Sequence, residues 1–222
     1  MNIAIIGTGS VGSGLAAAFV DAGHHVHLAG RTSAQATTAA AATGAEAAAN
    51  PASAAALADV IILAVPFGSI AELAGDIAPV VNGKVIIDVS NPAKDDWSGP
   101  LFFGTGSGAE QIATWLPEAR VIKAFNTLFA GNIANPSHDG LALDGFVAGD
   151  DAAAKATVLE LVAAIGLNPV DVGQLSAARL LEPLAWLNIS MNMQPGGTWT
   201  SGWKLVGAPA PVASVAPEAL AA

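Results

Sequence analysis

The chain has 222 residues, 8 of them basic and 18 acidic, for a formal net charge of −10, so a polyanion such as DNA is repelled over most of its surface. It holds no cysteine, which excludes disulfides, Cys-ligated zinc, iron–sulfur clusters and thiol catalysis and fits a cytoplasmic protein. Hydrophobic residues make up 53%, much of it alanine, with no apolar run near the roughly 18 residues of a membrane span and no signal peptide expected at the N-terminus.

A chain of this length buries about 70–75% of its unfolded surface and suits one α/β domain, or one with a small appendage. The apolar run Asn2–Ile6 predicts a first strand over Asn2–Gly7. It enters Gly7-Thr8-Gly9-Ser10-Val11-Gly12, a Gly-x-Gly-x-x-Gly loop placed where a strand ends and a helix begins. There Gly7 permits the tight turn, Gly9 keeps side chains away from a pyrophosphate, and Gly12 lets the helix pack closely on the strand. Amides at the helix N-terminus, with the dipole behind them, then hold phosphate charge.

The first helix runs over about Val11–Ala22, with Val11, Leu15, Phe19 and Val20 at helical spacing, and Gly23 ends it. His25–Ala29 is the second strand, followed by a helix from near Ser33 to Thr43. A short strand within Gly44–Ala48 and a helix opening at Pro51 come next. Asp59–Pro66 (DVIILAVP) is the β-branched run of a parallel strand buried on both faces. A helix from about Ser69 to Val81 leads through Asn82-Gly83 to the strand Lys84–Val89. Asp95–Ser107, with Trp97, Gly99, Pro100, Gly104 and Gly106, reads as a flexible loop rather than an active-site lid. Beyond it lie a helix near Ala109–Leu116 and strands Val121–Phe125 and Gly145–Gly149. Asp150 and Asp151 open a helix to Ile165, and a short strand Val170–Val172 and a helix Ser176–Met193 close the pattern.

Strands alternating with helices give an α/β fold, a doubly wound, mostly parallel sheet of Rossmann type with a short C-terminal helical segment. Residues 1–174 form the dinucleotide-binding domain in this reading, and 175–207 a C-terminal helix with an acceptor or dimer segment. The Ala/Pro/Val-rich stretch 208–222 is expected to be a loose tail.

Folds that bind NAD usually carry an Asp or Glu at the end of the second strand, on the ribose hydroxyls. Here that position reads Ala29-Gly30-Arg31-Thr32-Ser33, with no acidic residue between Asp21 and Glu46. Arg31 beside Thr32 and Ser33 suits a 2′-phosphate, which a guanidinium grips in bidentate fashion. NADP(H) is the expected cofactor; the plainer alternative is a solvated arginine beside a Ser cap.

His25 and His27 share one face of a strand, with His24 beside them, but at the wrong end of that strand for chemistry, so no metal site is expected. His138 reads as a solvated loop residue. No catalytic triad or paired-carboxylate spacing is present. What remains are the strand ends, where ligands bind in such sheets: Val65-Pro66-Phe67, Ser90-Asn91-Pro92 and Ala124-Phe125-Asn126-Thr127. They are neutral and mostly small or amide-bearing. Such a pocket holds a nicotinamide carboxamide by hydrogen bonds and offers no clear proton donor, which favours direct hydride transfer between stacked rings. Lys123 is the one candidate general acid, although its place inside a strand favours a structural role.

Several segments carry a resemblance to a known family: Ile5–Gly14 (IIGTGSVGSG), Gly30-Arg31, Ile62–Phe67 (ILAVPF), Asp88–Pro92 (DVSNP), Val121–Leu128 (VIKAFNTL) and Asp171–Asn188 (DVGQLSAARLLEPLAWLN). The chain resembles the NADPH-dependent reductases of the deazaflavin coenzyme F-420 (hereafter F420), whose dinucleotide module is also that of the STEAP metalloreductases. The resemblance implies that Thr8 to Val11 and Arg31 contact the pyrophosphate and 2′-phosphate, and that Val65, Pro66, Asn91 and Ala130 lie along the cofactor. It also implies hydride transfer between NADPH and the deazaflavin ring, in a homodimer formed through the C-terminal region. Archaeal members carry a histidine where this chain has Asn126, so another acceptor (flavin, quinone, metal chelate or imine) stays open, as does a non-enzymatic NADP(H)-binding redox sensor. β-Hydroxyacid dehydrogenases and pyrroline-carboxylate reductases have similar N-terminal domains, but too little chain follows Gln174 for their helical C-terminal domain. Trp199 and Trp203, set among glycines, suit either stacking on a flavin-like ring or packing a dimer interface.

Overall fold

Alternation along the strands sets the architecture of the computed structural model, which describes residues 1–102 and 104–207; the expected tail over 208–222 lies outside the described residues. In the first strand, β1 (Asn2–Ile6), Ile3 and Ile5 face one helix layer while Ala4 and Ile6 face the other. β4 (Val60–Leu63) and β5 (Val85–Asp88) divide in the same way and are buried along their whole length. A strand apolar on both faces must be central and covered twice.

Six strands accordingly run parallel in the order β3 (Glu46–Ala47), β2 (His25–Ala29), β1, β4, β5, β6 (Arg120–Ala124). This is the doubly wound dinucleotide-binding order, with its ligand crevice at the carboxyl ends of the strands on either side of β1 and β4. β9 (Asp144–Gly149) extends the sheet antiparallel to β6, and β10 (Asn168–Asp171) pairs parallel with β9, giving eight strands.

On one face lie α1 (Ser10–Asp21), α6 (Ala130–Ala134) and α7 (Ala152–Ala164), through Leu15, Phe19, Ile133, Val158 and Leu161. The other face is covered by α3 (Pro51–Leu57), α4 (Ile70–Ile77), α5 (Gly108–Trp115) and the start of α8 (Ala178–Asn192). α2 (Ser33–Thr43) flanks β2 and β3 and is capped by Thr32, whose hydroxyl accepts the Gln35 amide. No helix among the described residues is long and apolar enough to cross a membrane.

The expected elements are present, most with ends shifted by one to three residues. Two are additional. α6 follows β6 directly, and an antiparallel ribbon of β7 (Ser137–His138) and β8 (Leu141–Ala142) turns through Asp139-Gly140, both at positive φ. That dipeptide is the strongest local signal for a two-residue hairpin. The expected helix over Ser69–Val81 is instead α4 between two 3₁₀ turns, Phe67–Ser69 and Ala78–Val80, because Pro79 cannot continue the α-helical hydrogen bonding.

After α8 the chain folds back over the sheet edge. Trp203 packs against Phe146, Ala148 and Leu181, and its carbonyl accepts the Asp144 amide at 2.9 Å. The fully buried Asp144 carboxylate accepts from Asn168 Nδ2 (2.6 Å), Lys204 Nζ (2.9 Å) and the Leu205 amide. Burial alone raises its pKa, but these donors outweigh that and hold it below the usual carboxylate range. A depressed folded pKa contributes stability above the unfolded value, and that contribution is lost as pH falls through the folded one. Asp144→Asn should therefore cost about 1.5–3 kcal/mol near neutral pH. The gap to wild type should persist at pH 5 and narrow below about pH 4; urea unfolding across that range measures it, and a gap unchanged to pH 2.5 would contradict the assignment.

Candidate functional site at the carboxyl ends of the strands

The turn from β1 to α1 closes only with glycine at two of its three positions. Gly7 has φ +126°, and a Cβ there would stand 2.1 Å from the Ala64 carbonyl oxygen. A Cβ on Gly12 would stand 2.0 Å from the Gly7 carbonyl oxygen. Gly9 differs: its φ of −73° is ordinary, and a Cβ would meet nothing within 4 Å. No neighbouring protein atom requires glycine there, whereas an anion seated on the loop would. Gly9 also leaves α1 without a side-chain cap, while Thr32, Asn50, Ser107 and Asp151 cap α2, α3, α5 and α7. The first-turn amides of α1, which include Ser10 and Val11, thus have no side-chain cap, as is also true of α4, α6 and α8, and the helix dipole there favours negative charge.

Gly30 sets the second strand end against this loop, since a Cβ there would lie 3.1 Å from Thr8 Cγ2 and 3.2 Å from Gln35 of α2. Between loop and helix runs an open groove of about 530 Å³ lined by Thr8, Ser13, Ala34, Gln35 and Thr38. Arg31, Thr32 and Ser33 are exposed beside it, at the start of α2. The histidines lie elsewhere. His25 opens β2 at its amino end, His27 Nδ1 stands 3.5 Å from Glu46, and His24 is 3.5 Å from the chain's N-terminus. Burial and the nearby N-terminal charge lower the His24 pKa. His138 is exposed but not merely solvated, since its Nε2 lies 2.6 Å from the Thr200 carbonyl oxygen. Among the described residues no group of three or more His, Cys, Asp or Glu is arranged to hold a metal ion.

Beneath the ends of β5 and β6 the ionisable groups are sealed in one another. Lys123 Nζ donates to Asp88 Oδ2 (2.7 Å), Glu182 Oε1 (2.9 Å) and the Ser90 carbonyl (2.6 Å). Lys123 and Asp88 are fully buried and Glu182 is 1% exposed. The second carboxylate is compensated by the N-terminus of α5, whose Gly108 and Ala109 amides donate to Glu182 at 3.0 and 3.3 Å. Asp88 also accepts the Ser90 amide at 2.8 Å. Lys123 is therefore a structural cation and not a general acid facing the crevice. Nearer the surface, Arg179 makes a second tie from α8 to α5, donating to both carboxylate oxygens of Glu110 at 2.9 and 2.7 Å. Those bonds hold the Glu110 carboxyl below its usual pKa.

The amides of the strand ends are likewise paired. Asn91 Nδ2 donates to the Asn126 carbonyl at 2.7 Å, and Asn126 Nδ2 donates to Asn91 Oδ1 at 2.9 Å and to the Leu181 carbonyl at 3.0 Å. Asn126 is buried and Asn91 half-buried, so Asn91 faces outward and Asn126 buttresses it. The chain reaches Asn126 through Phe125, which takes φ +61° at the end of β6 while its ring packs edge-on to Phe19. A bulky residue in the left-handed region is an outlier, and outliers of this kind gather at functional sites. Ser90 Oγ and Asn126 Oδ1 are buried at these same ends without a partner among the described residues. Ala124 lies fully within the core, and Pro92 is buried under Trp186, whose Nε1 donates to its carbonyl at 3.3 Å. Val65 and Ala130 are half-buried and Pro66 is exposed along the crevice.

Comparison with known proteins points to one family. A family model described as "NADP oxidoreductase coenzyme F420-dependent" matches residues 2–92. The F420-dependent NADP reductase of Methanothermobacter thermautotrophicus is 34% identical over 210 residues, covering 87% of this chain and 90% of that protein. A solved structure of a putative F420-dependent NADP reductase from Arthrobacter sp. FB24 superimposes with a TM-score of 0.79 at 32% identity, covering 86% of this chain and 93% of that one. The rat metalloreductase STEAP3 is 30% identical over 186 residues, 82% of this chain, but the match spans only 36% of its length.

Removing one partner of a buried ion cluster leaves uncompensated charge and costs about 3–5 kcal/mol. Lys123→Met should therefore destabilise the fold by about that amount, read from urea unfolding. A loss under 1 kcal/mol would show that the cluster is not what holds these elements together.

Proposed function

Given that the chain belongs to the F420-dependent NADP oxidoreductase family and is an NADP-dependent oxidoreductase, we propose that it passes a hydride between NADP(H) and a flavin-like ring, most specifically the deazaflavin of F420. The observation that carries this reading is the sealing of Asp88, Lys123 and Glu182 within one buried cluster. The crevice-facing strand ends then present amides, backbone and apolar side chains, which position rings but give no proton.

In this reading the amides from Thr8 to Val11 hold the pyrophosphate and Arg31 the 2′-phosphate, supported by the free Gly9 face and the uncapped α1. A protein of net charge −10 binds so anionic a cofactor only where charge is locally reversed, as it is at a helix N-terminus beside an arginine. Val65, Pro66, Asn91 and Ala130 flank the nicotinamide, with Asn126 holding the Asn91 amide in orientation. Bound NADPH supplies the hydride; the chain's part is to align the two rings and exclude water. We take residues 175–207 as the acceptor and dimer segment. Leu180, Leu187 and Met191 leave an exposed apolar stripe along α8, in keeping with a homodimer, which we place in the cytoplasm.

The test is stopped-flow oxidation of NADPH with F420, flavin mononucleotide or a ferric chelate as acceptor, in wild type and Arg31→Asp. Oxidation fastest with F420 supports the reading, and Arg31→Asp should raise the KM for NADPH at least tenfold, about 1.4 kcal/mol, while leaving that for NADH nearly unchanged. Tight NADPH binding without oxidation by any acceptor would favour a redox sensor instead, and equal effects on both cofactors would remove the 2′-phosphate role.

A further inference from the structure

The two tryptophans of the C-terminal segment, equivalent in sequence, are used differently. Trp203 is packed against Phe146, Ala148 and Leu181, and its Nε1 is buried. Trp199 is 46% exposed, with φ +55°. Large side chains rarely adopt that conformation, and a surface indole gives the fold little burial in return.

A buried polar network nevertheless holds it there. The Trp199 amide donates to Asn192 Oδ1 at 2.8 Å. Asn192 Nδ2 donates to Ser201 Oγ at 2.8 Å and to Asn188 Oδ1 at 3.1 Å, and Ser201 Oγ donates to Asn188 Oδ1 at 2.6 Å. The Ser201 carbonyl accepts from Asn132 Nδ2 (2.9 Å) and Asn188 Nδ2 (3.1 Å). Asn132, Asn188 and Asn192 are all buried, and His138 ties the Thr200 carbonyl from the β7–β8 ribbon. Even Gly197 is required, because a Cβ there would stand 1.9 Å from the Asn192 carbonyl oxygen. Elements α6, α8 and the ribbon thus converge on three residues, and satisfied buried networks of this kind fix one geometry.

What they fix is an aromatic wall beside the crevice. The Trp199 ring packs at 67° to Phe129, with centroids 5.2 Å apart. Phe129 lies three residues beyond Asn126 and immediately precedes Ala130, in the helix that packs Ile133 against Gly14 of α1. An exposed indole whose backbone is held by this network and whose ring packs on Phe129, five residues beyond the end of β6, suits a planar, electron-poor ring, because stacking on a preorganised aromatic needs little ordering of the side chain at binding.

We propose that Trp199 is the residue on which the acceptor stacks, the acceptor being a planar tricyclic ring of the isoalloxazine or deazaisoalloxazine class. This rests on the hydride-transfer reading above and assigns its acceptor side. The test uses 5-deazariboflavin as probe, bound to the NADP⁺-loaded protein and followed by equilibrium dialysis. Trp199→Ala should weaken the probe at least tenfold and Trp199→Phe less than threefold. The Kd for NADP⁺, the thermal midpoint and the subunit count should stay as in wild type. Equal probe affinity in wild type and Trp199→Ala, or no binding to wild type, overturns the assignment; so does a loss of binding that tracks dissociation of a dimer, which would make Trp199 an interface residue. Trp199-dependent binding without oxidation of NADPH would uphold this assignment and contradict the hydride-transfer reading alone.

Discussion

One fully buried ammonium group, that of Lys123, joins four elements at the carboxyl edge of the sheet. It binds Asp88 at the end of β5 from its own place in β6, and through Glu182 it reaches α8 and the N-terminus of α5. Burying charges is costly unless each is paired and hydrogen-bonded. Here the second carboxylate is met by helix amides, and the lysine's third proton goes to the Ser90 carbonyl. Satisfaction of the whole cluster fixes the height of α8 over the sheet, and with it Leu181, whose carbonyl receives the Asn126 amide. The paired amides of Asn91 and Asn126 therefore depend on a contact made beneath them.

This arrangement divides labour between charge and backbone. The ionisable groups near the crevice are used for assembly, and the groups left to a ligand are backbone amides, small side chains and one outward amide. At the opposite end of the crevice the uncapped α1 and the exposed Arg31 supply positive potential on an otherwise acidic molecule. In the proposed reading, such a site holds phosphates at one end and rings by shape at the other. That is the physical requirement of a reaction whose chemistry resides in its two cofactors.

Local features were the legible ones. The strand-to-helix glycine loop, the missing acidic residue after β2 and the alternation of buried runs each lie within a dozen residues, and the sheet follows from them. The Lys123–Glu182 contact joins residues 59 apart, and no spacing rule connects a strand lysine to a glutamate of the last helix. The backbone reversal at Phe125 was equally hidden, because a phenylalanine gives no warning of positive φ. The β7–β8 hairpin was available in Asp139-Gly140 and is weak only because its strands are two residues long. Trp199 and Trp203 share the same glycine-rich surroundings in sequence; what distinguishes them is a set of asparagines from α6 and α8 that meet only in three dimensions.

Direct passage of a hydride between two aligned rings, with no exchangeable group of the protein between them, is the step on which the proposed function turns. It is tested most directly with NADPH deuterated at the transferring position of C4 and a deazaflavin acceptor, whose reduced carbon does not exchange its hydrogen with water. The reduced acceptor is expected to retain one full deuterium, read by mass spectrometry, and turnover in heavy water of unlabelled NADPH to place none at that carbon. Deuterium lost to solvent in the first case, or gained from it in the second, would contradict direct transfer and return a protein acid or base to the mechanism.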